Sequence, residues 1–433
     1  MRNLVVGIVV GLVVGIVVGT TIIAPRLKLP AHKIMARQST PVAPSVAIQE
    51  PTTLTRAAAE RPAQPSSPGS QPTLTWRMAS AYASALPQLG EQGVRFETTL
   101  WHLSAGTMRV KLHEPGTLVA ADDMFNAVRS AAIEAAFAAP SFWADKNPAF
   151  QLFSAIPFGP PLPEYLSWMF DGGGLQILQD LYAKQGLRGL VCGVLAPEGS
   201  GWFRQPVDDI NDFKALRLGM GGLGGKVAAK LGANTMTLAE GDVFVALEKG
   251  LIDGAEASQP AVDLELGLHQ LARHYYFPGW HQPATLLHLI VNLDLWNGLP
   301  KSRRSQIEAA CRDNISHGLA VGEARQFGAL KELVRQGVKI EIWAPDILAA
   351  LKAAWAQVLA EEKNNNRDFK RAWESLQAFR EEYGIWREIS EGTPASRRLP
   401  ISEPPTPKSW RGAPPAPHSD QAGNRSTQAG GRP

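Results

Sequence analysis

Residues 4–24 read LVVGIVVGLVVGIVVGTTIIA, 21 positions without a charge. At about 20 apolar residues a helix is long enough to cross a bilayer. The run exceeds the roughly 7–15-residue apolar core of a cleaved leader, and no small-residue cleavage pattern follows it. We read residues 1–24 as an uncleaved membrane anchor. Gly7, Gly11, Gly15 and Gly19 recur at every fourth position, which places them on one helix face and permits close approach of a second helix. Arg2 precedes the run, and Arg26, Lys28, Lys33 and Arg37 follow it. Positive charge alone would therefore leave the rest of the chain in the cytoplasm.

Residues 25–72 hold nine prolines among Ala, Ser, Thr and Gln, without apolar periodicity, as expected of a flexible or extended linker. Residues 393–433 hold nine more and read as a disordered tail. Residues 73–392 are left as the folded part, too long for one comfortable core, so two lobes are expected. The formal net charge of +3 and the absence of Lys/Arg runs longer than two give no footprint for nucleic acid. Cys192 and Cys311 are the only cysteines. They show no metal-type spacing. A disulfide would suit an oxidising compartment, but the preference of cysteine for burial favours two buried free thiols.

Within the folded part, TLTWRMAS (73–80), LRGLVCGVLA (187–196) and LLHLIVNLDLW (286–296) predict strands. MFNAVRSAAIEAAFAA (124–139) predicts an amphipathic helix, and DVFVALEKG (242–250) a helix with Asp242 as N-cap and Gly250 just past its end. Residues 346–386 predict a long helical region broken near Asn364–Asn366. Alternating strands and helices imply an α/β class.

The stretch RLGMGGLGGK (217–226) contains G-x-G-x-x-G at Gly219, Gly221 and Gly224. A dinucleotide site needs an apolar strand running straight into the first glycine. Here only Leu216, Arg217 and Leu218 precede it. A phosphate loop would require glycine at Met220 and Ser or Thr at Val227. We therefore expect no nucleotide; the glycines let a strand end turn closely into the helix KVAAKLG beside a tight cavity. Arg217 is placed either to fork onto a ligand carboxylate or to pair with an acid across the sheet. No G-x-S-x-G, H-E-x-x-H or ordered Ser/His/Asp set marks an enzyme.

FKALRLGMGGLGGKVAAKLGA, ALEKGLIDGAEASQP and YYFPGWHQPATLLHLIVNLDLWNGLPKS, in that order and spacing, resemble the DctP-type solute receptors of TRAP transporters. AAPSFWADKNPAFQLFSAIPFG (138–159) and GSGWFRQPVDDINDFKALR (199–217) are similar to the branch that binds 2-oxo acids. The resemblance implies a two-lobed periplasmic-binding-protein type II-like fold with long C-terminal helices, and a binder rather than an enzyme. It places the folded part in the periplasm, against the charge bias noted above. Its implied partners are a small monocarboxylate, TRAP membrane subunits and a second copy of the chain. A membrane-anchored sensory or scaffold protein keeping the receptor fold is the alternative; a nicotinamide-nucleotide enzyme is a poorer one.

The resemblance also implies a site. Arg217 would grip the ligand carboxylate. Glu256, the Ala257 carbonyl and Glu198 would hold a cation that bridges to the ligand. Glu198 stands four residues before Trp202, where the family carries an amide, and Ala257 stands where an aromatic is usual. Gln282 replaces a carboxylate in Pro278-Gly279-Trp280-His281-Gln282. Trp280, Phe142 and Trp143 would be cleft or core aromatics, and His281 a packing or surface histidine. The added charge of Glu198 tilts the cation from Na⁺ towards Ca²⁺.

Overall fold

The computed structural model describes residues 73–390 apart from residue 239. The expected anchor (4–24), linker and tail lie outside the described residues. Among the described residues no helix is long and apolar enough to cross a membrane.

Two sheets organise the chain. The first contains β1 (Leu74–Ser80), β2 (Met108–His113), β3 (Ala135–Ala138), β4 (Leu187–Leu195) and β10 (Thr285–Asn292), in the order β2-β1-β3-β10-β4. The second contains β5 (Gly201–Phe203), β6 (Arg217–Gly219), β7 (Asn234–Met236), β8 (Gly254–Ala255), β9 (His274–Phe277) and β11 (Lys339–Ile342), in the order β11-β9-β5-β8-β6-β7. The α-helices in chain order are α1 (Gly90–Leu103), α2 (Met124–Arg129), α3 (Leu162–Phe170), α4 (Gly174–Ala183), α5 (Gly222–Lys230), α6 (Glu240–Glu248), α7 (Pro260–Leu266), α8 (Leu293–Gly298), α9 (Lys301–Arg335), α10 (Pro345–Asn365) and α11 (Arg367–Ser390).

The first sheet is apolar on both faces because helices cover both. Ala135, Phe137, Leu287 and Leu289 pack towards Phe96 and Leu100 of α1 and Ile307 of α9. Their strand neighbours Ala136, Ala138, Leu286 and Ile290 pack on the opposite side, with Trp168, Leu178 and Leu376. This period-two split explains why the sequence of β10 reads as a continuous apolar run. The second sheet buries Trp202, Ile252 and Tyr275 with Val243 and Leu247 of α6.

Two sequence expectations are corrected here. Residues 124–139 do not form one helix: α2 stops at Arg129, Ala131 takes φ 57°, and Ala135–Ala138 form β3 between β1 and β10. Alanines suit helix or strand alike, and pairing on both edges decided for strand. Cys192 and Cys311 are not free thiols but a disulfide across 119 residues. Cys192 lies on the β4 face that α9 covers, which brings Cys311 to it; such pairing cannot be read from spacing.

The chain crosses between the sheets at residues 196–200 (β4 to β5) and 278–284 (β9 to β10), and again through α9. The two C-terminal helices tie the lobes. Lys226 and Lys230 of α5 pair with Glu362 and Glu361 of α10, while Arg380 and Arg387 of α11 both pair with the buried Glu164 of α3.

Candidate functional site

The two strand-to-strand crossings meet. The Glu198 N–H donates to the Gln282 carbonyl at 3.3 Å. Gly279 passes so close that an added Cβ would lie 2.1 Å from the Glu198 carbonyl oxygen. A third segment joins them after β8: Glu256 donates its N–H to the Gly219 carbonyl at 2.9 Å, and Gly199 donates to the Ser258 carbonyl at 3.1 Å. Backbone hydrogen bonds therefore carry Glu198, Glu256 and Gln282 to one place.

There the Gln282 amide nitrogen donates to Glu198 Oε2 at 2.8 Å and to Glu256 Oε1 at 2.9 Å. Thr285 Oγ1 donates to Glu198 Oε1 at 3.3 Å and lies 3.2 Å from Gln282 Oε1. Glu198 is 3% exposed and Glu256 half-buried. His281 is also 3% exposed, with Nε2 at 3.7 Å from Glu256 Oε1. One ligand atom from each of Glu198, Glu256 and His281 lies within 4.8 Å of the others. Two carboxylates this close repel unless positive charge lies between them. The basic side chain beside Glu256 is His281. The donor set and spacing fit a cation.

Behind the cluster, Trp202 stacks on Tyr275 with ring centroids 4.0 Å apart and donates its indole N–H to Asp263 at 2.8 Å. Asp263 also accepts the Ser258 N–H at 2.9 Å, which fixes the turn after Glu256. Burial raises the Asp263 carboxyl to about 7, and the charge of Glu256 adds to the rise, against the lowering effect of the Trp202 hydrogen bond.

The sequence-predicted residues divide. Glu198, Glu256 and Gln282 are brought together, and the half-buried Ala257 follows Glu256 on the same loop. Arg217 is not. It opens β6, and Asp253 directly precedes β8, the parallel neighbour of β6. Both thus stand at the ends of these strands opposite to Glu256. The guanidinium is exposed and already forked onto Asp253, with Nε 2.9 Å from Oδ2. Of the two roles its sequence left open, a grip on a ligand or an ion pair across the sheet, Arg217 makes the ion pair in this structure. Trp280 is buried and stacks on Phe158 at 5.7 Å; Phe142 is 38% exposed, edge-on to Tyr82; Trp143 is buried core.

His281 was expected to pack or face solvent; the structure buries it, beside Glu256. Its only sequence signal is its place next to Gln282 in the same turn. Thr285 and Asp263 carried no signal at all.

The glycine stretch turns β6 into α5 as its sequence implied. An added Cβ at Gly225 would lie 2.3 Å from the Met220 carbonyl oxygen. Beside it opens a cavity of about 430 Å³, lined by Gln151, Met220, Gly221, Gly222, Lys226 and Thr237 among others. The carboxylates are not in its wall. Residues 219–221 connect the two places, because Gly219 holds Glu256 and the next two residues line the cavity.

Residues 79–365 match the DctP family, bacterial extracellular solute-binding protein family 7. The chain is 29% identical over 321 residues to a monocarboxylate 2-oxoacid-binding periplasmic protein of Nostoc sp., covering 74% of this chain and 88% of the relative. Among solved structures it is similar to a TRAP transporter solute-binding protein of Bordetella bronchiseptica, described as a mixed-occupancy dimer with calcium and picolinate. That match has 30% identity, a TM-score of 0.72, and covers 74% of this chain and 96% of the other. It is also similar to TRAP periplasmic solute-binding proteins of Colwellia psychrerythraea, with calcium and pyruvate, and Pseudoalteromonas atlantica, with sodium and pyruvate. Both are 25% identical with a TM-score of 0.71; each match covers 74% of this chain, and 98% and 97% of the other chain respectively. With its two sheets joined by paired crossings and long C-terminal helices, the chain belongs to the DctP family of extracytoplasmic solute-binding receptors.

Proposed function

We propose that this chain is the solute receptor of a TRAP transporter for a small 2-oxo or 2-hydroxy monocarboxylate, held through a cation at Glu198, Glu256 and the Ala257 carbonyl. The observation that carries this reading is the meeting of Glu198, on a crossing between the lobes, with Glu256 of the loop after β8, bridged by Gln282 from the second crossing. The pyruvate-bound neighbours, one with calcium and one with sodium, support the ligand class.

A cation here would offset the charge of the two carboxylates and offer positive charge to an incoming one. With Arg217 engaged by Asp253, that task is not shared with a guanidinium. Two carboxylates plus a ligand carboxylate are better balanced by a divalent than a monovalent ion, and on oxygen ligands alone Ca²⁺ is preferred to Na⁺. Glu198 and Gln282 sit on the crossings, so a ligand drawing them together would favour lobe closure.

Residues 4–24 would tether the receptor to the outer face of the cytoplasmic membrane, within reach of the membrane subunits. Ile385, Trp386 and Ile389 are exposed on α11, a face suited to pairing two copies, and the Bordetella bronchiseptica neighbour described as a dimer supports that reading.

The test is calorimetric titration of the full chain with pyruvate, after chelation and then with added Ca²⁺ or Na⁺. Cation and ligand should bind with positive reciprocal coupling, typically about 1–3 kcal/mol. Glu198→Gln should weaken the divalent ion. Pyruvate affinity indifferent to chelation would remove the cation; no binding of any short 2-oxo or 2-hydroxy acid would remove the monocarboxylate.

A further inference from the structure

His281 has the least ordinary environment in the cluster. Its side chain is 3% exposed, and neither ring nitrogen has a hydrogen-bond partner. A buried polar atom without a partner is uncommon in a folded protein and marks a place where an interaction is provided by something else. Solvent barely reaches it.

A carboxylate oxygen, Glu256 Oε1, lies 3.7 Å from Nε2. That is too long for a hydrogen bond, which would bring the atoms to about 2.7–3.2 Å. It does suit two ligands of one ion. Nitrogen and oxygen each about 2.1 Å from a common metal are at most about 4.2 Å apart. The third corner, Glu198, falls inside the same 4.8 Å set. Neighbouring residues hold this corner in place: His281 follows Trp280, which is stacked on Phe158, and its other neighbour Gln282 is hydrogen-bonded to both carboxylates.

We propose that His281 is a ligand of the cleft cation, and that the resulting nitrogen-and-oxygen site prefers a first-row transition divalent ion, of the Mn²⁺ or Zn²⁺ class, to Ca²⁺ or Na⁺. The inference rests on the cation reading above and goes beyond it in ligand and in metal class. Calcium and sodium take hard oxygen donors, whereas imidazole suits zinc, iron, nickel and copper. One imidazole with two carboxylates is a donor set that zinc and manganese accept without further protein ligands. It leaves coordination positions for the carboxylate and keto or hydroxyl oxygens of the solute. The neutral imidazole adds a donor without adding charge, so the argument for a divalent ion is unchanged.

The test uses the full chain, freed of metal by chelation and titrated calorimetrically with Mn²⁺, Zn²⁺, Ca²⁺ and Na⁺. We expect Mn²⁺ or Zn²⁺ to bind at least about tenfold more tightly than Ca²⁺. Pulsed paramagnetic resonance on bound Mn²⁺ should show modulation from a directly coordinated imidazole nitrogen. His281→Gln should abolish that modulation and lower transition-metal affinity by about tenfold or more, while Ca²⁺ affinity changes little. If Ca²⁺ binds as tightly as the transition ions and no nitrogen modulation appears, His281 is not a ligand, although the cation-dependent receptor reading stands. If no cation binds while pyruvate still does, this inference and the cation both fall, and the monocarboxylate receptor survives alone. Should the variant not fold, the resonance signature of the unaltered chain decides by itself.

Discussion

Arg217 and Asp253 form a two-pronged ion pair at the strand ends facing away from the carboxylate cluster, and Arg217 Nη1 also donates to the Gly250 carbonyl at 2.6 Å. The hydrogen bonds from Arg217 hold the Asp253 carboxyl below its usual range. Arg217→Lys should therefore leave carboxylate affinity within about twofold, since distant sites with no shared partner act independently. Its visible effect should be a rise in the Asp253 pKa by nuclear magnetic resonance, because lysine loses the planar fork. A large loss of ligand affinity in calorimetry would return Arg217 to the binding site.

Gly279 should be as sensitive as the carboxylates themselves. Its missing Cβ lets the second crossing lie against the Glu198 carbonyl, and the obstructing atom is backbone, so it cannot swing away. Gly279→Ala should cost about 10–100-fold in cation affinity, the range seen when a ligand's support is disturbed, with circular dichroism unchanged. Normal cation binding by a folded Gly279→Ala protein would mean that the close approach of the crossings does not position Glu198.

The Cys192–Cys311 disulfide closes a loop across 119 residues. On the chain-entropy estimate such a cross-link is worth up to about 5 kcal/mol. Reductant, or the paired Cys192→Ser and Cys311→Ser changes, should shift the denaturation midpoint down markedly. Identical midpoints with and without reductant would show that the bridge contributes nothing in solution.

His288 supplies the pH dependence that can be stated most cleanly. It is fully buried, with Nδ1 3.0 Å from the Tyr182 hydroxyl, which accepts the Trp143 indole N–H at 3.1 Å. Burial lowers its pKa to about 3. Below the unfolded value of about 6.5 the unfolded chain binds a proton that the folded chain refuses, so stability falls as pH drops from 6.5 towards 3. Between pH 6.5 and 4.5 this group alone should cost about 2 kcal/mol. His288→Asn should flatten that limb of the urea-midpoint profile; an unchanged acid limb would place the effect on other groups.

Much of the scaffold was legible because it is written in local patterns. The apolar runs of β4 and β10 and the long C-terminal helices, with their break at Asn366, follow from hydrophobic period and from a residue poorly suited to a helix interior. The glycines of 217–226 were readable as a tight turn because the neighbouring motif positions rule out a phosphate site. The segments that carry Glu198, Glu256 and Gln282 could be recognised from several ordered motifs.

What the sequence determined by itself was thus the kind of element at most positions and the family of arrangements they could enter. Tertiary structure alone decided which side chains meet. Whether Arg217 faced a ligand or Asp253 depended on which end of β6 points to the cleft, a direction no strand pattern records. The alanines of β3 became a strand only when β1 and β10 flanked them, and Cys192 met Cys311 only because α9 lies over β4. Glu198, Glu256 and His281 come from three separate segments, and their 4.8 Å proximity exists only once the crossings are packed against each other. Side-chain period is a property of neighbours along the chain; proximity between segments is set by backbone hydrogen bonds and core packing across the whole fold.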